Sequence, residues 1–126
     1  MMQTFQKVER LKSKILIKEL ISQGRAIKQY PFVLLWQKAE STQEFPIRIA
    51  FSVPKKRFPL AVDRNQTKRK INEIYRLHKS KWYALLKDRY VILLIFTSSE
   101  KMSSFALENK LILLFNRFTS DVKKTY

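Results

Sequence analysis

Cysteine is absent from the 126 residues, and glycine and histidine each occur once. Without cysteine there is no disulfide framework and no thiolate metal site, and His78 alone cannot make a zinc site. The single glycine, Gly24, rules out the phosphate loop and the dinucleotide fingerprint, both of which need several glycines at fixed spacing. Long apolar runs are missing too. The longest, Val91 to Phe96, is far short of the roughly 18 to 20 residues of a membrane span. The N-terminus carries no apolar segment followed by a small-residue cleavage site, so no secretory signal is read and a cytoplasmic protein is expected. Acidic residues are scarce, 10 against 26 Lys plus Arg, which leaves a net charge of +16. Such a surface repels itself unless an anion is near.

What is present is enough for a core. The chain is 45% apolar and 13% aromatic, more than a disordered basic tail carries, and its length fits a single domain over residues 1–126. The charge is uneven: +5 over residues 1–30, zero over 31–54, +6 over 55–76 and +5 over 77–126. Leu11, Ile15, Leu16, Leu20 and Ile21 recur at helical spacing and Gly24 follows at the stop, so an amphipathic first helix is expected. The neutral segment holds two β-rich runs, Phe32–Trp36 and Ile47–Val53, read as a hairpin or meander. In the second, Ile47, Ile49, Phe51 and Val53 alternate with Arg48, Ala50 and Ser52, giving one apolar and one small or polar face. Pro54 and Pro59 bracket a basic loop, Lys55-Lys56-Arg57-Phe58. A second helix is expected from near Asp63, which reads as its cap, to between Lys79 and Leu86. Tyr90–Thr97 reads as a buried strand. Ser98, Ser99, Ser103 and Ser104 read as turn and cap residues before a last helix, with a core stripe from Phe105 to Phe118 and a frayed basic tail at Lys123 and Lys124. The expected order is α-β-β-α-β-α.

The second helix carries the densest charge. At 100° per residue, Thr67, Ile71, Ile74 and His78 share one face, while Asn65, Lys68, Arg69, Asn72, Arg76 and Lys79 share the other without an acid among them. Arginine forks match phosphate oxygens and lysines supply point charge, so this face suits an anion. Asn amides add hydrogen bonds to sugar or base edges. His78 reads as part of the buried face rather than a general base, and Trp36, Trp82 and Tyr83 read as core. No serine has a histidine and an acid arranged around it. The residues therefore offer no catalytic group and no metal site.

Arg64-Asn65 followed by Lys68-Arg69, preceded by Phe51-Ser52-Val53-Pro54-Lys55-Lys56 and with Arg10-Leu11-Lys12 opening the first helix, resembles the protein component of bacterial ribonuclease P. Phe32-Val33-Leu34 and the spacing to Gly24 fit the same pattern across nearly the whole chain. The sequence departs from it where Gln66 and Asn72 stand for arginines, where no glycine follows Lys55-Lys56, where the link through Arg57-Phe58-Pro59-Leu60 is one residue longer, and where Ile17 and Ile21 stand for phenylalanines. The resemblance implies an α+β two-layer sandwich with a left-handed βαβ crossover. It implies a protein that binds the catalytic RNA subunit and the 5′ leader of precursor tRNA and assists removal of that leader, with Mg²⁺ held on the RNA subunit and the chemistry there. Carried onto this sequence, it gives Lys55, Lys56, Arg64, Asn65, Lys68, Arg69, Asn72 and Arg76 for RNA contact, and Ile17, Ile21, Leu35, Arg48 and Ser52 for the leader cleft. No obligate protein partner and no membrane are implied. The alternatives are a structural, ribosomal-type RNA-binding protein, a stand-alone nuclease and, more distantly, a peripheral membrane protein.

Overall fold

A computed structural model describes residues 9–125. Helix α1 (Lys14–Gln23) is followed by β1 (Arg25–Gln29), β2 (Phe32–Lys38), β3 (Ile47–Ser52), α2 (Ala61–Ala84), β4 (Tyr90–Phe96) and α3 (Ser104–Thr125). The strands form one sheet in the order β1-β2-β4-β3. The β1–β2 and β2–β4 pairs are antiparallel and β3–β4 is parallel, so α2 is the crossover between the last two. The fold is α+β, as the sequence implies, with one strand more than expected.

That strand is β1, and its sequence explains why it gives no signal. In Arg25-Ala26-Ile27-Lys28-Gln29 only Ile27 is buried, so an edge strand rests on its ladder with β2 rather than on an alternating pattern. The expected hairpin between the Phe32–Trp36 and Ile47–Val53 runs does not form, because β4 lies between them. Tyr90, Val91, Ile92, Leu93 and Leu94 are all buried. A strand apolar on both faces belongs in the centre of a covered sheet, which pushes β3 to the edge.

Alternate residues of the strands feed two cores. On one face Ile27, Leu34, Trp36, Ile47, Ile49, Ile92 and Leu94 pack under α2 and α3, whose Ile71, Tyr75, Leu111 and Phe118 are also buried. Trp82 of α2 stacks on Phe115 of α3 with ring centroids 4.2 Å apart, and Trp36 meets Phe118 edge-on. On the other face Leu11 and Leu20 cover Val91 and Leu93. Ser13 caps α1, its hydroxyl oxygen accepting from the Leu16 N–H. Gly24 closes it in ordinary extended backbone, so its reason is space: a Cβ would sit 2.5 Å from the Leu20 carbonyl oxygen.

Four expectations shift. Arg10-Leu11-Lys12 does not open α1; Arg10 bridges to Ile49 and the Leu11 N–H bonds to the Ile49 carbonyl, adding a short parallel edge to β3. Helix α2 starts at Ala61 with Leu60 at its cap, and Asp63 lies in the first turn paired with Lys101 at 2.7 Å. A carboxylate there still complements the positive end of the helix dipole. Phe105 and Leu113 are exposed rather than core, since two residues of helix turn Phe105 about 200° away from buried Leu107. Lys123 and Lys124 lie within α3. The serines behave as read: Ser103 accepts from the Ala106 N–H and Ser98 from the Glu100 N–H.

Candidate nucleic-acid interface

The basic loop and the first half of α2 are built as one unit. Arg57 and Phe58 N–H groups both bond to the Pro54 carbonyl, closing a turn, and buried Phe58 stacks on Phe96 of the sheet. One Arg64 guanidinium nitrogen then donates to the Phe58 and Pro59 carbonyls at 2.7 and 2.9 Å. That clasp fixes the loop to the helix start. It leaves Lys55, Lys56 and Arg57 exposed beside exposed Asn65, Lys68 and Arg69.

Not every residue expected on this face is open to a partner. Arg64 holds the loop, with only the rest of its fork available. The Asn72 amide nitrogen donates back to the Lys68 carbonyl, and its oxygen is enclosed with no partner among the described residues. Arg76 grips Glu73 through two bonds, of 3.1 and 2.5 Å. The face is therefore not acid-free; the pair lowers the Glu73 carboxyl below its usual range and raises the Arg76 guanidinium further. Lys79 points inward, its ammonium 2.6 and 2.7 Å from the two oxygens of fully buried Glu9. Arg57 was missed as a candidate. Its position next to Lys55-Lys56 in a run bracketed by prolines was the signal for it.

The residues expected in the leader cleft separate into two places. Ile17 and Leu35 pack on the second core with Ala50 and Ile95. Ile95 lies between Val33 and Ser52 in register. Exposed Ile21 follows Ile17 by one turn, on the flank of α1 turned about 200° from Glu19. That flank of α1 lies over the face of the sheet that carries Leu35, Ala50 and Ile95. Arg48 is elsewhere. It lies level with Val91, about 13 Å up the strand from Ser52 at the usual rise per residue. There it lines a cavity of about 630 Å³ with Glu19, Glu40 and Glu44 on the other flank of α1, where Gln37 bonds Glu19. Three carboxylates against Arg48 and Lys38 make this cavity unsuited to a phosphodiester.

His78 bonds Glu108 at 2.9 Å and stacks on Trp82, a contact that ties α2 to α3. Among the described residues no three His, Asp or Glu side chains cluster so as to hold a metal ion. Among them, too, no helix is long and apolar enough to cross a membrane.

Comparison with known proteins decides what this basic α+β domain is related to. The ribonuclease P family model matches residues 5–119. The chain belongs to the ribonuclease P protein family. Among curated relatives of that family, the ribonuclease P protein component of Chlorobaculum tepidum is 38% identical over 72 residues, a match spanning 55% of this chain and 47% of the relative. The component from Porphyromonas gingivalis is 29% identical over 125 residues, covering 94% of this chain and 91% of its own length. The family fold is also found in solved structures. The Staphylococcus aureus RNase P protein superposes with a TM-score of 0.70 at 24% identity, covering 86% of this chain and 93% of that one. The Thermotoga maritima protein gives 0.67 at 24% identity, covering 86% and 96%. As a ribonuclease P protein component, the chain is a part of a ribonuclease holoenzyme with an RNA partner.

Proposed function

We propose that this chain binds the catalytic RNA subunit of ribonuclease P and the 5′ leader of precursor tRNA, and assists removal of the leader in tRNA maturation in the cytoplasm. The observation that carries the reading is the unit formed by the Pro54–Pro59 loop and α2. There Lys55, Lys56, Arg57, Lys68 and Arg69 are exposed and make no ion pair among the described residues, in a member of the ribonuclease P protein family. Unpaired cations displace condensed counterions from RNA phosphates, which drives binding and makes it depend on salt. Asn65, beside them, offers an amide to sugar or base edges.

The chemistry belongs on the RNA subunit, with Mg²⁺ held there; when bound, such ions activate water for hydrolysis of the phosphodiester. This chain's part is electrostatic and steric. The loop and α2 neutralise phosphates of the RNA subunit, while the α1 flank of Ile17 and Ile21, with Ser52 of β3, receives the single-stranded leader. With isoleucines on that flank, the leader bases meet apolar contact rather than aromatic stacking.

Reconstitution tests this. Added to the RNA subunit of the same organism, the protein is expected to speed cleavage of precursor tRNA at the mature 5′ end and to lower the magnesium needed. A protein that binds RNA without stimulating cleavage is the ribosomal-type alternative. Cleavage by the protein without RNA would mark a stand-alone nuclease.

A further inference from the structure

Between α2 and α3 lies a groove of about 510 Å³ whose walls include Ile74, Leu77 and Phe105. Phe105 is 74% and Leu77 48% exposed, so a whole aromatic ring stands in solvent at the start of α3. Isolated exposed apolar residues are common on proteins, but here the ring, the leucine and the groove coincide. Arg69 lines the same groove, is exposed and has no partner among the described residues. The other charges are already engaged. Glu73 is held by Arg76, Glu108 by His78, and the Lys70 ammonium donates to the Met102 carbonyl. Of the charged side chains lining the groove, Arg69 alone has no hydrogen-bond partner among the described residues, and it stands beside an open ring.

We propose that this groove takes one unpaired base of the ribonuclease P RNA subunit, stacked on Phe105, with an adjoining phosphate on Arg69. The proposal rests on the functional reading above and extends its RNA face from Lys68 and Arg69 across to α3. Every base has a π-face for the ring, and arginine beside an aromatic is the combination that holds single-stranded RNA without reading its sequence. Apolar walls of Ile74 and Leu77 suit the edge of a base. The free cation at the rim and the chain's net charge of +16 favour a polyanion over an apolar protein segment.

The test is affinity of the full chain for the RNA subunit, measured across a salt series. Phe105→Ala is expected to weaken binding roughly 5- to 150-fold, the worth of a base–aromatic stack, with an unchanged salt slope. Phe105→Trp is expected to keep the affinity, and Phe105→Leu to lose it as Ala does. Arg69→Ala is expected to weaken binding and to reduce the slope. Exposure of the ring keeps the fold intact in these variants, and matching thermal unfolding curves establish that. Unchanged affinity in Phe105→Ala, or full retention in Phe105→Leu, would overturn the stacking site while leaving the functional reading in place. If the unaltered protein itself fails to bind the RNA subunit, both fall. A Phe105→p-benzoylphenylalanine variant should crosslink on irradiation to an unpaired nucleotide of the RNA subunit; adducts only to precursor tRNA or to another protein molecule would also overturn the site.

Discussion

The Tyr83 hydroxyl donates to Glu9 at 2.9 Å and meets the Tyr75 hydroxyl at 3.0 Å. Because the one Tyr83 proton goes to the carboxylate, Tyr75 must donate to Tyr83, and the two phenols form a short relay ending on Glu9. Burial pushes both phenols up from their ordinary value, Tyr75 well above it, and the negative charge of Glu9 adds to the effect. The sign of the pH dependence follows. Near neutral pH both are protonated folded or unfolded and contribute no slope. Above about pH 10 the unfolded chain loses these protons and the folded one keeps them, so the unfolded state is favoured by about 1.4 kcal/mol per pH unit for each tyrosine. Urea unfolding between pH 9 and 11 is expected to show stability falling from pH 10 upward, and Tyr75→Phe should reduce the slope of that fall by about 1.4 kcal/mol per pH unit. A decline equally steep in Tyr75→Phe would show that its phenol ionises as freely in the folded protein as in the unfolded chain.

At the scale of elements, the Glu9–Lys79 pair clasps the segment before α1 to the C-terminal part of α2, across 70 positions in sequence. A lysine expected on the charged face of α2 is thus a structural strut. Buried pairs of this kind are costly to break from one side because a charge is left alone. Lys79→Met should therefore lower stability by about 3 to 5 kcal/mol, whereas the double variant Glu9→Leu with Lys79→Met should recover most of it. Thermal and urea unfolding of the three proteins measures this, and an additive double variant would mean the two side chains do not act as a pair. Lys79 also shows where reading from sequence stops. The helical wheel placed Thr67, Ile71 and Ile74 inward correctly, because many apolar neighbours agree on that direction. It could not place Lys79, whose partner lies in a different element and is a single residue. The same limit applies to β1, where one buried isoleucine gives no period, and to the pairing of β2 and β3 with β4, which depends on contacts distant in sequence. It applies again to Arg48 and Ser52: alternation puts both on one face of β3, but only the folded structure shows Arg48 in an acid-lined cavity beside α1 and Ser52 level with Ile95.

Across the whole molecule, net charge predicts an anionic partner but not where it binds. The structure narrows this by showing which side chains are already engaged: Arg64 holds a loop, Arg76 holds Glu73, Lys79 holds Glu9, Lys70 holds a carbonyl and Arg48 lines a cavity with three glutamates. What remains open near α2 is the cluster of Lys55, Lys56, Arg57, Lys68 and Arg69. Each phosphate contact contributes about 0.7 to 0.9 to the slope of log K against log salt. Lys68→Ala combined with Arg69→Ala should therefore reduce the slope for binding the RNA subunit by about 1.4 to 1.8, and Lys55→Ala with Lys56→Ala by a similar amount. Arg48→Ala removes the same formal charge as either single change in α2, yet it is expected to leave the slope unchanged, because Arg48 lies in a cavity lined with Glu19, Glu40 and Glu44 rather than on the loop or α2. Filter-binding or fluorescence titrations from low to moderate salt give these slopes directly. Equal slopes for Arg48→Ala and Lys68→Ala would mean that binding responds to net charge alone, and the loop and α2 would lose their claim to be the RNA surface.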